Sequence, residues 1–355
     1  MAEKGSSMAS PHELVNIGAD VAGLENHRIT HLPVLVLHVH SSCNCRCVMC
    51  DIWKSKGSRS LQPTDLESHL ESIRRLNVRW VVLSGGEPLL NPEFATICAM
   101  LRRENVRVTL LTTGLLLAKL AGPVVESFDD AIVSLDGPGR IHNLIRRIDG
   151  AFALIQSGIR AVRKRRPAFS ITARTTVQKA NHRHLRETLA AAKSLDLNGL
   201  SFLAADLTSE AFNRPVSWSG ERQREVALSL DELAALEDEI EFLIEENAED
   251  IRAGYVAESP DKLRRIARHF RAHLGLERDQ SPPCNAPWTS AVIEVDGSVR
   301  PCFFHRPIGN IHRMSLEDVV NGTDALVFRS ALDIRSNLTC NRCVCSLNYR
   351  RPAIA

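Results

Sequence analysis

Ten cysteines stand in a chain of 355 residues, and nine of them fall in two short zones. The first zone holds Cys43, Cys45, Cys47 and Cys50, and the second holds Cys284, Cys302, Cys340, Cys343 and Cys345. Cys98 stands alone. Cys43-x3-Cys47-x2-Cys50 places three thiolates on one short loop, a donor set suited to an iron–sulfur cluster with one iron left without a protein ligand. A structural zinc site is normally closed by four ligands, so three alone favour an open, reactive centre. Cys45 could make a fourth, but its spacing would strain so tight a loop. In the second zone Cys284, Cys302, Cys340 and Cys343 supply four thiolates, enough to close either a 4Fe–4S cluster or a zinc ribbon. A disulfide scaffold would instead spread its cysteines through a short secreted chain.

The balance of 44 Lys+Arg against 42 Asp+Glu gives a net charge of +2. That near-neutrality argues against a general nucleic-acid binder, whose surface is normally strongly basic. No apolar run approaches the roughly 20 residues that a membrane helix needs. The first residues, Met1-Ala-Glu-Lys-Gly, lack the apolar core of a secretory signal, so a cytoplasmic protein is expected. In that compartment clustered cysteines bind metal or do chemistry more often than they form disulfides.

The elements that must position these cysteines follow from hydrophobic periodicity. Short apolar runs at 34–39, 80–83, 106–111, 131–135, 170–177 and 200–203 alternate with segments of helical period near 64–75, 92–103, 115–126, 150–164 and 182–193. Six strands alternating with helices imply βαβ units and a parallel sheet, and the pattern fits an open sheet and a barrel equally. Cys43–Cys50 then lies in the loop after the first strand, at the strand end where ligands of parallel α/β folds bind. The alternation stops at 206. Residues 231–250 hold ten acids around Leu233, Leu236, Ile240, Phe242, Leu243 and Ile244, and read as an amphipathic helix. A helix over 263–274 carries Arg264, Arg265, Arg268 and Arg271, which suits packing against the acidic helix or, alternatively, anion binding. The basic run 160–166 falls at a predicted helix C-terminus, where cations complement the dipole. Residues 291–300 read as a β-hairpin turning at Asp296-Gly297, which would bring Cys284 and Cys302 together.

The Cys-x3-Cys-x2-Cys loop resembles the signature of radical S-adenosylmethionine (SAM) enzymes. Further matches follow in order: Gly85-Gly86-Glu87-Pro88 after the second strand, Leu111-Thr112-Thr113-Gly114 at the end of the third, Ser134-Leu-Asp136 at the end of the fourth, and Ile141-His-Asn-Leu-Ile-Arg146 beyond it. The resemblance covers about 34–205 and implies an α/β fold built as a partial (β/α)6 TIM-type barrel. It implies that Cys43, Cys47 and Cys50 hold a SAM-binding 4Fe–4S cluster. Gly85 and Gly86 would let the backbone approach the methionine moiety. Gly86 and Glu87 would meet its amino group, Ser134 and Arg146 its carboxylate, and Asp136 or its neighbours the ribose, with Pro88 and Thr112 in the same turns. Met49 replaces a common aromatic before the last cysteine, and Asn143 replaces the usual Asp.

The second cysteine set resembles the SPASM or shorter twitch extension of the same superfamily. It implies an auxiliary 4Fe–4S cluster on Cys284, Cys302, Cys340 and Cys343, in a small C-terminal β-hairpin domain. The expected divisions are an N-terminal extension (1–33), the partial barrel (34–205), connecting helices (206–281) and the auxiliary domain (282–355). The leading expectation is an oxidoreductase that abstracts hydrogen from a small polar metabolite, with the auxiliary cluster as electron acceptor, as in twitch-bearing dehydrogenases. A flavodoxin- or ferredoxin-type donor would supply the first electron, with no nucleic-acid or membrane partner. Arg174, Asp206 and Glu210, at the ends of the later strands, are candidate substrate contacts. A peptide maturase is the alternative, although only about 33 residues precede the first strand, few for a peptide-recognition domain of about 80. A radical epimerase, with Cys345 as hydrogen-atom donor, is a variant of it. A non-redox zinc protein is the third class.

Overall fold

The computed structural model describes residues 27–214, 216–345 and 347–349. Most of the expected N-terminal extension lies outside them. Six strands follow in the anticipated order: β1 (Val34–His40), β2 (Trp80–Gly85), β3 (Arg107–Thr112), β4 (Asp130–Ser134), β5 (Ser170–Val177) and β6 (Leu200–Ala204). Each pairs in parallel with its sequence neighbours, so the sheet runs β6-β5-β4-β3-β2-β1. The helices Phe94–Arg103, Leu117–Ser127, Ala151–Arg165 and Leu185–Ser194 stand near their predicted places. The helix expected over 64–75 is instead split into Pro63–Glu67 and Leu70–Arg75. Between them the buried ring of His69 accepts a hydrogen bond from the Leu316 N–H at 3.2 Å.

The two faces of the sheet differ. Leu35, Leu37, Val81, Leu83, Val108, Leu110 and Val133 are fully buried, in one core with Ile97, Leu101, Val124, Ile155 and Val162 of the helices. Such burial contributes roughly 1.5–3 kcal/mol per side chain. The opposite face carries Val36, Val82, Leu111, Ile132, Ser134, Arg174 and Ser201, all half-buried. Register aligns Ser134 with Arg174 and Arg174 with Ser201 on this inner face. One-sided helix cover explains why β5 alternates in burial along its whole length rather than being apolar throughout.

The C-terminal strands do not form a separate sheet. β7 (Ser290–Ile293) pairs in parallel with β1, and β8 (Ser298–Arg300) and β9 (Gly309–Asn310) continue antiparallel, giving one open nine-stranded sheet. The hairpin turns at Gly297, whose φ of +79° suits glycine. At the other edge Val256 bridges to Leu200, and the helix Pro260–His273 follows. The acidic helix Leu230–Glu246 packs on it, with Arg264 forked onto Glu241 (2.7 and 2.7 Å) and Arg271 on Glu237 (2.7 Å). Leu233, Leu236, Ile240 and Leu243 face inward as expected. Phe242, placed on that stripe by periodicity, is exposed and carries the Arg186 guanidinium 4.9 Å from its ring centre. Within the described residues no helix is long and apolar enough to cross a membrane.

Candidate functional site

β1 runs directly into the first cysteine loop, and β2 ends against it. The Gly86 N–H donates to His40 O (2.8 Å) and the Glu87 N–H to Ser42 O (3.0 Å). A Cβ on Gly86 would sit 2.1 Å from the Ser42 carbonyl oxygen, and Gly85 holds φ +118°. Both glycines are therefore demanded by the approach of the β2 turn to the cysteine loop. Pro88 opens the short 3-10 turn that follows and is buried.

The Glu87 carboxylate is wholly buried and committed to the neighbouring strand end. It accepts from Thr112 Oγ1 (2.8 Å), Thr113 Oγ1 (2.6 Å), the Thr113 N–H (2.8 Å) and the Leu89 N–H (3.1 Å). Burial raises its pKa, and these donors only partly oppose that. This side chain, expected near the SAM amino group, ties the ends of β2 and β3 together.

On the loop itself Cys45 is buried, and its thiol interacts with those of both Cys43 and Cys47. The Cys47 thiol is drawn down to about 6, first by Cys45 and then, against burial, by the Arg146 guanidinium. Cys50 is pushed up to about 12 by burial and by the charge of Cys47. Arg146 Nη1 lies 3.5 Å from Cys47 Sγ, while Nη2 meets the buried Asp136 carboxylate at 2.6 Å. Asp136 also accepts from the Thr176 N–H (2.9 Å). His142, held near pKa 3 by burial, takes the Asp136 N–H on Nδ1 (3.2 Å). Asp136, expected at the ribose, is thus the partner of Arg146, and Ser134 stands on the inner face beside Arg174.

No three of the described His, Cys, Asp or Glu side chains already stand in metal-ligand geometry. The loop nevertheless presents the donors such a cluster takes: thiols within one another's electrostatic reach, beside a fixed cation. The residues fit an iron–sulfur group.

Sequence reasoning missed what holds this loop from outside. Arg214 Nη2 donates to Met49 O (3.2 Å), Asn213 to Asp51 O (3.2 Å), Trp218 Nε1 to the Asp51 carboxylate (2.7 Å), and Arg222 to Val48 O. Arg214 stacks 3.6 Å from the Trp218 ring centre and is ion-paired, fully buried, to Asp206 at 2.6 Å. Asp206, expected to meet substrate, therefore neutralises this clamp. Glu210 is exposed, 4.0 Å from Arg306. Asn143 accepts the Phe152 N–H (2.9 Å), fixing the next helix. Arg174 Nε donates to Ser201 Oγ (3.3 Å). Cys98 is buried in the helix Phe94–Arg103.

In the C-terminal zone Cys284, Cys302, Cys340 and Cys343 line one small cavity. Burial pushes Cys302 up to about 11 and Cys340 to about 12, and raises Cys284 and Cys343 as well. Four neutral thiols converging in a desolvated space are a donor set that a metal cluster ionises on binding. His305 Nε2 lies 3.4 Å from Cys340 Sγ. Asn285 folds the C-terminal residues back onto Cys284 through Leu347 O (2.8 Å) and Tyr349 O (2.7 Å). Cys345 is exposed, and its carbonyl accepts from the Cys343 thiol.

A parallel α/β sheet whose first strand feeds a thiol loop, with a second thiol set on its C-terminal extension, defines a two-centre iron–sulfur protein. The chain carries a radical SAM superfamily domain, matched over residues 37–192, and a SPASM iron–sulfur cluster-binding domain, matched over 284–344. These domains give it SAM and 4Fe–4S clusters as cofactors. It is similar to an AdoMet-dependent heme synthase of Methanosarcina barkeri (27% identity over 221 residues, 57% of this chain and 62% of that one). It is also similar to a pre-heme d1 synthase of Dinoroseobacter shibae (28% over 166 residues, 46% and 41%). The chain thus spans less than two thirds of these relatives. Streptococcus suis SuiB bound to S-adenosylmethionine shares the fold at TM-score 0.60 (14% identity, 90% and 73% covered). So does anSMEcpe with bound AdoMet, at 0.59 (21%, 83% and 82%).

Proposed function

We propose that this protein cleaves SAM reductively at Cys43, Cys47 and Cys50 and oxidises a small molecule by removing hydrogen from carbon. Bound at that loop, a 4Fe–4S cluster with SAM supplies a 5′-deoxyadenosyl radical capable of taking such a hydrogen. The observation that carries the reading is the joint placement of Cys47, Arg146 and Asp136. A guanidinium held by a buried carboxylate stands beside a thiol, where its planar fork suits an amino-acid carboxylate. The glycines at 85 and 86 keep the β2 turn tight against the loop, and Arg214 and Trp218 fix the loop from the far side. Ser134 and Arg174 line the inner face of the sheet. The C-terminal thiols would hold the group that accepts the second electron, with a flavodoxin- or ferredoxin-type protein supplying the first.

The names of the sequence relatives, heme synthases and GTP 3′,8-cyclases, favour a small molecule over a peptide. Peptide maturation is the second reading, and the exposed Cys345 is what would favour its epimerase form. Anaerobic reconstitution followed by reduction tests the proposal. About eight iron and eight sulfide per chain, with 5′-deoxyadenosine formed from SAM, support it. One zinc and no sulfide contradict it. Deuterium transfer into 5′-deoxyadenosine from labelled candidate metabolites then identifies the substrate.

A further inference from the structure

The helix Pro260–His273 carries two sets of cations, and the acidic helix engages one of them. Arg264 and Arg271 turn to Glu241 and Glu237. Lys262, Arg265 and Arg268, three residues apart along the other side, line a cavity of about 610 Å³ instead. That volume suits a metabolite with a sizeable body.

The same cavity reaches Trp80 and Leu203 on one side and Cys343 of the second thiol set on the other. Trp80 is fixed by its Nε1 hydrogen bond to Thr109 Oγ1 (2.7 Å), so it offers a rigid apolar wall. Carboxylates also line the space: Asp261 lies 3.9 Å from Arg264 and Glu277 3.7 Å from Arg271, cations already held closely by Glu241 and Glu237, and Asp279 pairs with Arg342 at 3.0 Å. Among the described residues Lys262 and Arg268 close no ion pair of the kind Arg264 makes, although the charge of Lys262 acts on the Glu258 carboxyl. The lining holds four Lys or Arg side chains against three carboxylates, a small positive excess beside the apolar Trp80 and Leu203.

We propose that this cavity binds the substrate, as a small molecule with an apolar body against Trp80 and Leu203 and an oxyanion group, carboxylate or phosphate, on Lys262 and Arg268. The inference deepens the proposed function and rests on it for the word substrate. It replaces a merely polar metabolite with an amphipathic anion.

Direct binding tests it on the anaerobically reconstituted full chain, using the fluorescence of 1-pyrenebutyrate, 1-pyrenebutanol and the phosphate monoester of that alcohol. Either anion should bind at least tenfold more tightly than the alcohol, and the tighter of the two names the oxyanion. The double variant Lys262→Gln/Arg268→Gln should lose about tenfold for the anions, roughly threefold for each of the half-buried Lys262 and the exposed Arg268. It should keep its affinity for the alcohol, which shows that the cavity is still folded. Arg264→Gln, on the acidic-helix side, should change neither. Equal binding of alcohol and anions, or anion binding untouched in the double variant, overturns the site. A glutamate-rich peptide that binds more tightly than either pyrene anion overturns the small-molecule class. Formation of 5′-deoxyadenosine by the wild-type protein is read in the same preparation. Its absence with anion selectivity intact overturns the proposed function alone, and lost selectivity with formation intact overturns this site alone.

Discussion

Arg146 meets Asp136 at 2.6 Å with neither side chain more than 9% exposed, and the same guanidinium lies 3.5 Å from Cys47 Sγ. One cation thus serves a buried carboxylate and the thiol loop together. Removing one member of such a pair leaves the other charge buried and unpaired, which destabilises by about 3–5 kcal/mol. Arg146→Ala should therefore lower stability to urea by that order, while Asp136→Asn, which keeps an acceptor for Thr176, should cost less. Arg146→Lys should fold yet bind SAM more weakly, because a point charge replaces a planar fork. Urea denaturation and equilibrium dialysis of labelled SAM read the two effects separately.

The clamp on the cysteine loop gives a second prediction. Trp218→Phe keeps the ring that stacks on Arg214 and removes only the hydrogen bond to Asp51. A loss of about 1.5–3 kcal/mol is expected, since the acceptor is charged. Arg214→Ala should be worse, because Asp206 would be left buried without its partner. Thermal unfolding measures both, and iron content after gel filtration shows whether the loop still retains its cluster.

Glu258 sets a pH dependence. Burial raises its carboxyl to about 7, only partly opposed by the Phe202 N–H at 2.8 Å and by Arg174. A raised acid binds its proton more tightly when folded, so its stabilising contribution is present below the ordinary carboxylate pKa and is lost as pH rises through about 7. Glu258→Gln should therefore stabilise the protein relative to wild type at pH 8 more than at pH 5. The gap should be on the order of 1 kcal/mol once partial exposure is discounted. Chemical denaturation at the two values checks it, and a gap that shrinks with rising pH contradicts the assignment.

The auxiliary thiols make a separable prediction. Cys284→Ala together with Cys302→Ala should halve the iron, from about eight to about four per chain, and leave SAM cleavage measurable. Substrate turnover should fall if the second centre accepts an electron. Iron analysis and product assay on one preparation distinguish the two.

How much of this was legible in the sequence depended on how local the cause was. The six strands follow from runs such as Val34–Val39, because period and burial are set within a few residues. Gly85 and Gly86 announced a close approach to a ligand, and the close neighbours seen are backbone atoms of His40 and Ser42. The clamp was not legible. Arg214 reaches Met49 across 165 residues and Trp218 reaches Asp51 across 167, with no spacing rule to join them. The partner of Asp206 was not legible for the same reason, since a carboxylate near a strand end looks free until Arg214 is placed beside it. The C-terminal hairpin was visible, but its pairing with β1 was not, because edge pairing is decided by the whole sheet.

The central claim is that Cys43, Cys47 and Cys50 hold the centre that splits SAM. Its most direct test is 5′-deoxyadenosine formation by the reconstituted, reduced protein beside its Cys43→Ala/Cys47→Ala/Cys50→Ala variant. Product should form with the wild type and not with the variant, which should still carry the iron of the C-terminal centre. Product from the triple variant, or none from an iron-replete wild type, would contradict it.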